Sequence, residues 1–396
     1  MSLLFNCKPR LLAIAAIMLF GVLPTGCGGS HGQAVTHDLT PGPSPDDGQL
    51  GIGIKRDSSR RIVFTASPDG SGNDEIYTAQ PDGTDLLRIT NTTAADREPD
   101  WSPDRTRIVF TRTRDRGELV NALGLNIPQR ADIWIMNADG TGQRKLFSAD
   151  PVTVSFMGNT MTPNRYAAYP RFSPDGTSIA AAVYKETPDS NQNTSSLYLI
   201  NVATGENRQI SSTGGALSWS PDSQKIVFAS RDASTPRFLL YIIPNMAQIR
   251  SSPTMMATPT SITTPPTNYS SDALGPFVNY GSDSTPSWSP DGASVVFSRN
   301  SFGFTDPNDP NNRTFQGGLF KISPDGSSLQ HLTTQLDAAP SFSLDGSRIL
   351  FTRFVGEVVP NLPVQFGSLY TVGISGQNEI RLTTNLPAGA GNWGGQ

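Results

Sequence analysis

The side chains best suited to bind a metal ion in this chain are carboxylates and amides. The stretch TDPNDPNNR, residues 305–313, places Asp306 and Asp309 among asparagines. Oxygen ligands at this density are the ones that Ca²⁺ prefers. The two prolines and the absence of a twelve-residue EF-hand pattern favour a solvated turn instead, and DGSGNDE from Asp69 is interpreted in the same way. Asp306 and Asp309 are therefore weak metal candidates, and we expect no metal and no cofactor.

The chain has few histidines that could take part in catalysis or metal binding. Of its three histidines, His31 and His37 lie near the N-terminus and His331 stands alone. Neither a histidine metal site nor a Ser-His-Asp triad can be assembled from them. Carboxylates are plentiful, so a glycosidase that uses a carboxylate pair stays open. The net charge of −4 gives no basic footprint for nucleic acid. No catalytic residue is predicted.

Another set of aspartates recurs within a repeated segment. Five copies without gaps begin at Glu98, Tyr169, Ala216, Thr285 and Ala339, and the fourth reads TPSWSPDGASVVFSR. Each has an aromatic residue followed by Ser-Pro-Asp, except that Leu344 replaces the proline in the last copy. Internal repeats outweigh other sequence signals because they determine the whole fold. We expect the shared aspartate to cap a turn rather than to form a functional ring; it is Asp104, Asp175, Asp222, Asp291 and Asp345.

The elements that carry these residues are short strands. In residues 285–334, PSW is strand A, SVVFSR is B, GLFKIS is C and LQHLTT is D, with SPDG and PDGSS as turns. Strand B is apolar without alternation, which predicts burial on both faces. Radially stacked four-stranded sheets provide that burial. The shared aromatics are expected to be anchors between neighbouring sheets: Trp101, Phe172, Trp219, Trp288 and Phe342.

The repeats predict an all-β, six-bladed β-propeller of four-stranded antiparallel blades. Residues from Arg60 supply strands B, C and D of a first blade that has no aromatic anchor of its own. Trp393 follows Phe342 by about one blade, so we expect the C-terminal residues to supply the missing strand A and close the ring. The alternative is that GIGI at 51–54 is that strand. In blade four, FLLYII from Phe238 is strand C, and strand D cannot be placed.

The W-S-P-D-G and I-V-F pattern, followed by I-Y/W and D-G, resembles the TolB-like (PD40, WD40-like) propeller repeat over about residues 58–396. The resemblance implies fold more than function. TolB has an α/β domain before its propeller, and the related peptidases have a hydrolase domain. No G-x-S-x-G elbow occurs within residues 58–396; the string occurs once in the sequence, at residues 28–32, in the segment before the propeller.

The insertions are expected to give the propeller one elaborated face. Strand connections A–B and C–D lie on one face and are short; B–C and D–A connections lie on the other and hold nearly all the extra length, including most of the run from Asn245 to Ser284. Long loops on a rigid scaffold commonly bind partners. The alternative is that their apolar residues plug the channel or cover blade edges. The candidate partner-binding residues are Leu119, Leu123, Phe156, Tyr166, Phe302, Phe304 and Phe366.

The N-terminus has the pattern of an export signal. Lys8 and Arg10 precede an apolar run from Leu11 to Leu23, and LPTGCGGS resembles a bacterial lipoprotein signal in which Cys27 is lipidated. An ordinary cleaved signal peptide is the alternative, because Pro24 stands where such signals usually have Leu. The expected organisation is a signal peptide over 1–27, a disordered tether over 28–57 and the propeller over 58–396.

The sequence therefore predicts an exported, lipid-anchored, monomeric propeller in the periplasm or at the cell surface. It is expected to be non-catalytic and to bind an envelope protein or peptide through its elaborated face. The alternative is a polysaccharide-active enzyme, a lyase or glycosidase, that uses carboxylates in the propeller channel.

Overall fold

Each repeat folds into one four-stranded antiparallel sheet. The computed structural model describes residues 61–67, 73–113, 131–149, 154–156, 159–161, 164–186, 194–232, 237–264, 282–304, 313–354, 367–383 and 388–393. Blades one and two contain β1 (Ile62–Ala66), β2 (Glu75–Ala79), β3 (Leu87–Arg88), β4 (Asp96–Trp101), β5 (Arg107–Thr113), β6 (Ala131–Asn137) and β7 (Arg144–Phe147). Blade three contains β10 (Asn164–Phe172), β11 (Ser178–Glu186), β12 (Thr194–Asn201) and β13 (Asn207–Ser211), after a hairpin of β8 (Val154–Phe156) and β9 (Asn159–Met161).

The second half of the chain repeats this arrangement. Blade four contains β14 (Leu217–Trp219), β15 (Ile226–Arg231), β16 (Phe238–Ile243), helix α1 (Met246–Ser251) and β17 (Thr260–Ser261). Blade five contains β18 (Ser282–Trp288), β19 (Val295–Phe304), β20 (Arg313–Ile322) and β21 (Gln330–His331). Blade six contains β22 (Asp337–Phe342), β23 (Arg348–Phe354), β24 (Gly367–Gly373) and β25 (Ile380–Arg381), and β26 (Ala388–Asn392) follows it. The six-bladed prediction is confirmed.

The last strand closes the ring. The order in blade one is β26-β1-β2-β3, so the chain's final strand is strand A of its first blade. Asn392 pairs with Val63, and Ala388 pairs with Ala66. The prediction that C-terminal residues complete this blade is thus confirmed, and the first sheet has no open inner edge. Each of the six A strands contacts the A strands of both neighbouring blades, so together they surround the axis.

Six apolar clusters hold neighbouring blades together, and each contains one anchor aromatic. Trp101, for example, packs with Val63 and Ile76 of blade one and with Ile108 and Phe110 of its own blade. The anchors are buried, with 1% to 7% of their surface exposed: Trp101, Phe172, Trp219, Trp288, Phe342 and Trp393. Strand B residues such as Ile108, Val109 and Phe110 are fully buried, because strand B lies between two blades on both faces.

A bulge recurs in four of the A strands, at the residue three positions before the anchor aromatic. Positive φ angles of 55°, 53°, 45° and 51° occur at Glu98, Tyr169, Thr285 and Ala339. The strand register shifts at each of them. A proline follows each of these residues, and proline is tolerated in sheets on edge strands and at bulges because it lacks the N–H that a ladder needs. The bulge bends the axial strand and re-aims the side chains beside it.

Candidate functional site

The strand connections divide the molecule into two faces. The short-turn face carries the A–B and C–D connections, and the long-loop face carries the B–C and D–A connections. Residues between β5 and β6, between β19 and β20 and between β23 and β24 are B–C connections, as the sequence predicts. The assignment of the run from Asn245 to Ser284 is partly wrong. Helix α1 and the residues up to β17 form the C–D connection of blade four and therefore lie on the short-turn face.

Helix α1 occupies this position because its side chains contact blade three as well as its own blade. Met246 and Ile249 are buried in the cluster that contains Trp219. Arg250 lies over the Trp219 ring at 5.0 Å and donates a 2.6 Å hydrogen bond to Asp175. The strand that the sequence could not place, strand D of blade four, is β17, where only Tyr241 and Ile242 pair with Ser261 and Thr260.

The predicted partner-binding residues are only partly within the described structure. Leu119, Leu123 and Phe366 lie outside the described residues, as do Cys27 and the weak metal candidates Asp306 and Asp309. Phe156 belongs to β8. Phe302 and Phe304 belong to β19 and pair with Phe315 and Arg313 of β20, so this insertion begins as a long hairpin arm rather than as an irregular loop.

Tyr166 lies on β10, the axial strand of blade three, and belongs to a group of tyrosines. Its ring stacks on Tyr184 of β11 with centroids 4.9 Å apart and planes 10° apart. Both rings are half-buried against the cluster that contains Tyr169. Tyr166 and Tyr184 lie toward the long-loop end of their strands. The structure thus brings one predicted residue, Tyr166, to the axial side of the long-loop face.

Glu98 is a buried carboxylate beside these tyrosines. Its Oε2 accepts a 2.7 Å hydrogen bond from the backbone N–H of Tyr169, across the boundary between blades two and three. Its Oε1 has no hydrogen-bond partner among the described residues. Burial raises the pKa of Glu98 to about 6, although the Tyr169 N–H and the positive charges of Arg171 and Arg97 oppose the shift.

Asp100 is another buried carboxylate of strand β4, which also carries Asp96. Its Oδ2 accepts a 2.8 Å bond from the Phe172 N–H, and its Oδ1 accepts a 2.7 Å bond from Nδ2 of Asn392. Burial raises the pKa of Asp100 to about 6, and Arg171 opposes the shift. Asp100 therefore joins three consecutive blades, including the one that contains the closing strand.

Asp100 is one member of a belt that occupies the position before each anchor. In four blades this side chain accepts a hydrogen bond from the backbone N–H of the next blade's anchor. The donor and acceptor pairs are Phe172 to Asp100, Trp288 to Ser218 at 3.0 Å, Phe342 to Ser287 at 3.4 Å and Trp393 to Ser341 at 3.2 Å. The axial wall thus uses its polar side chains to connect neighbouring blades.

Three blades carry an Asp–Arg pair that sequence reasoning missed. Asp96 and Arg112, Asp283 and Arg299, and Asp337 and Arg353 are register partners on strands A and B. Each arginine donates two hydrogen bonds to its aspartate, at 2.6 to 2.9 Å. Each guanidinium also lies over an aromatic ring of its own blade. The signal was the spacing of sixteen residues between Asp and Arg in three copies of the repeat.

The aspartates of the A–B turns cap those turns, as expected from the sequence. In blade five, Oδ1 of Asp291 accepts hydrogen bonds from the Ser289 hydroxyl at 2.5 Å and from the Ala293 N–H at 2.9 Å. These bonds lower the pKa of Asp291. Asp104, Asp175, Asp222 and Asp345 accept equivalent bonds. Among the residues that the structure describes, no group of three His, Cys, Asp or Glu side chains could hold a metal ion.

Comparison with known proteins supports one fold. No protein-family model matches the chain. A TolB homolog from Chlorobium luteolum is 27% identical over 162 residues, which cover 32% of this chain and 34% of that protein. The match thus spans about a third of the relative's length. The crystal structure of TolB from Acinetobacter baumannii superposes with a TM-score of 0.55 at 14% identity, covering 85% of this chain and 67% of that one.

This chain thus has a β-propeller fold similar to that of TolB. Hydrazine synthase from Kuenenia stuttgartiensis also superposes, with a TM-score of 0.52 at 15% identity over 84% of this chain and 46% of that one. Likeness at such low identity shows the fold alone, because one fold can host many functions. No helix in the described part of this TolB-like chain is long and apolar enough to cross a membrane.

Proposed function

We infer that this TolB-like propeller is a non-catalytic, exported protein of the bacterial cell envelope. In this function it binds an envelope protein or peptide through the long-loop face. The observation that carries the proposal is the unequal elaboration of the two faces. The A–B connections of blades two to six span five or six residues between strands. In contrast, 17 residues separate Thr113 from Ala131 in the B–C connection of blade two, counted as 131 − 113 − 1.

The axial side of the long-loop face offers groups that suit a protein partner. Tyr166 and Tyr184 present a stacked, half-buried pair of rings, and such amphipathic aromatics commonly anchor protein interfaces. Arg165, beside Tyr166 at the same end of the strand, is half-buried. Aromatic rings and arginines beside each other are enriched in interface hot spots because they combine apolar area with directed hydrogen bonds.

The hairpin arm of blade five permits a clean test. Deleting residues 301–316 joins Asn300 to Gly317, which are already register partners, between the paired residues Arg299 and Gly318. Asn-Gly is the preferred sequence of a two-residue type I′ hairpin turn, so the shortened strands can still connect. Cross-linking and pull-down from native envelopes should recover a partner with the full chain and lose it, or weaken its capture, with the deletion.

Two controls make the result decisive. The shortened protein must unfold at the same urea concentration as the full chain, which shows that loss of capture is not loss of fold. The exchanges Ala203→Ser and Ala293→Ser on the short-turn face should leave capture unchanged. An identical set of partners with and without the arm would reject the arm as the binding element.

The alternative function is a polysaccharide-active enzyme, and one observation favours it. Glu98 is buried, has a pKa raised to about 6 and has one oxygen without a partner among the described residues. A carboxylic acid in such a state can serve as a general acid. The two other buried acids of that strand have both oxygens bound: Asp96 by Arg112, and Asp100 by Phe172 and Asn392 of the neighbouring blades. Cleavage of envelope glycans by the full chain, abolished by Glu98→Gln, would establish the enzyme and overturn the non-catalytic proposal.

A further inference from the structure

Both described ends of the chain lie on the short-turn face. Arg61 precedes β1, and its side chain donates to Thr78 and to Asp85 in the C–D turn of blade one. Trp393 follows β26, whose residue Asn392 pairs with Val63 near the start of β1. Arg105, in the A–B turn of blade two, donates to the carbonyl oxygens of both Arg61 and Trp393. Closure of the ring thus fixes the face from which the N-terminal segment departs.

The same face carries an apolar patch. Seven large apolar side chains are 37% to 52% exposed, and these are all that the described part of the chain exposes to that degree. All seven lie in A–B or C–D connections or directly beside them. They are Met255 and Met256 of blade four, Leu329 of blade five, Leu344, Ile374 and Ile380 of blade six and Leu86 of blade one. We call this set the short-turn patch.

The short-turn patch crosses four consecutive blades whose turns touch one another. Nζ of Lys321 in blade five donates a 3.0 Å bond to the Ile374 carbonyl of blade six. Gly326 lies against the Ile262 backbone, and Gly83 lies against the Leu382 backbone, so each C–D turn overlaps the outer strand of the preceding blade. The patch is therefore distributed over the turns of four neighbouring blades, the last of which is the blade that Arg61 precedes.

We propose that the short-turn patch docks on the surface of the lipid bilayer to which the N-terminal segment is anchored. This inference rests on the proposed function in one respect, the lipidation of Cys27. Thirty-three residues separate Cys27 from Arg61, counted as 61 − 27 − 1. A chain of that length can span up to about 120 Å, so the anchor alone does not hold the propeller at the membrane. Burial of exposed apolar side chains in the bilayer interface provides the missing contact.

The charge of the patch selects the kind of bilayer. Hydrogen bonds from neighbouring Thr and Ser side chains lower the pKa of Asp82, Asp325 and Asp345, so these carboxylates stay ionised beside the apolar residues. The nearby cations Lys321 and Arg348 donate hydrogen bonds to protein carbonyls. Anionic lipids would be repelled by the carboxylates, so docking is expected to be driven by apolar burial and to favour zwitterionic phosphatidylethanolamine.

Docking by this face would orient the whole molecule. The two faces lie at opposite ends of the same strands, so a short-turn face on the membrane directs the long-loop face away from it. The long-loop face would then be open to partners, and the bilayer would not compete with them. The smooth face and the elaborated face would thus have separate roles.

The test uses the full lipidated chain in vesicles that contain nitroxide-labelled lipid. Single cysteines at Ser375, in the C–D turn of blade six, and at Gln335, in the D–A connection before the same blade, carry a fluorophore. Both positions are exposed. In phosphatidylethanolamine and phosphatidylcholine vesicles, the label at Ser375→Cys should be quenched and the label at Gln335→Cys should not. Adding phosphatidylglycerol should not increase the quenching.

The variant Leu344→Ser, Ile374→Ser, Ile380→Ser tests the side chains themselves. Each apolar side chain removed should lower the docked population by up to about tenfold, because burial of a large apolar side chain contributes that order of partitioning. All three residues are exposed, so the fold should persist, and the urea midpoint checks this. The exchanges Ala203→Ser and Ala293→Ser add hydroxyls to the same face without removing a large apolar group and should leave quenching unchanged.

Equal quenching of the two labels, no quenching of the label at residue 375, or quenching that survives the triple variant would each overturn the proposal. Mass measurement of the N-terminal peptide for acyl chains reports separately on Cys27. Partner capture by the long-loop face is also scored separately. Oriented docking without a captured partner would reject the proposed partner and keep the docking surface, and a captured partner without oriented docking would do the reverse.

Discussion

Replacing Trp393 tests whether the closing strand stabilises the ring. Trp393 is 7% exposed and packs in the cluster that joins Leu350 and Leu369 of blade six to Ile62 and Phe64 of blade one. Its indole Nε1 has no hydrogen-bond partner among the described residues, so Trp393→Ala removes packing alone. Truncation of a buried Trp costs about 3–5 kcal/mol of unfolding free energy. Phe342→Ala, at the equivalent position in blade six, should cost a similar amount.

Urea unfolding followed by tryptophan fluorescence and circular dichroism measures these losses. Trp393→Phe should lose less than Trp393→Ala, because phenylalanine already fills this position in blades three and six. Deleting 388–396 removes all of β26 and should cost more than the single substitution, since it also exposes the inner edge of β1. Deleting only 394–396 leaves β26 in place and is the matched control. An unchanged urea midpoint after deletion of 388–396 would refute the closure argument.

Two further predictions concern buried charges. Arg353→Met leaves Asp337 buried without its arginine and should cost about 3–5 kcal/mol of unfolding free energy, as measured by urea unfolding. The double variant Asp337→Leu, Arg353→Met should regain most of that loss, and equal instability of the two variants would contradict this prediction. Burial raises the pKa of Glu98 in the folded state from 4.5 to about 6, so the folded protein binds this proton more tightly than the unfolded chain does. The resulting contribution to the free energy of unfolding is present below pH 4.5 and is lost as the pH rises through 6. Relative to Glu98→Gln, the native protein should therefore lose about 2 kcal/mol between pH 4 and pH 7.5, and a difference independent of pH would count against the burial of Glu98.

The six-bladed architecture could be predicted because the same strand and turn pattern occurs in several copies along the sequence. The anchor aromatic, the capped turn and the apolar strand B recur with the same spacing, and each property has a local physical cause. Trp393 could be assigned to blade one because the first blade lacked an anchor and the last residues contained one. The assignment depended on counting blades. The strand itself could not be recognised, because the sequence AGAGN of β26 has almost none of the large side chains that are typical of strands.

The path of the chain after β16 could not be predicted from the sequence, because strand D of blade four is too short to leave a recognisable pattern. Strand β17 has two residues, and the helix before it is six residues long and is held by contacts with another blade. Arg250 reaches Trp219 and Asp175, which lie 31 and 75 positions earlier in the chain, and no local pattern contains such contacts. The consequence was that part of this run was assigned to the long-loop face.

The Asp–Arg spacing was present in the sequence, but it could not be recognised as a contact without knowing the register between strands A and B. Their sixteen-residue spacing becomes a contact only because the bulge at the X-Pro position shifts strand A relative to strand B. Blade one has Ala388 opposite Ala66 at the corresponding place, so a blade can form with small apolar residues there. Blades with and without the pair show that the pairs are not a requirement of the fold, which agrees with the modest net stabilisation expected of buried ion pairs.

The axial wall bears on the choice between binder and enzyme. Catalysis by a carboxylate pair needs two acids whose oxygens can reach a substrate. Asp100 instead accepts hydrogen bonds from Phe172 of one neighbouring blade and from Asn392 of the other, and its replacement would disturb the belt that holds the closing strand. Glu98 alone retains an oxygen without a described partner, at the boundary with the stacked tyrosines. Within β4, Glu98 therefore has no second acid with an unbound oxygen beside it, because Asp96 is bound by Arg112 and Asp100 by the neighbouring blades. Glu98→Gln separates a structural role from a catalytic one, because it keeps the shape of the side chain and removes its charge.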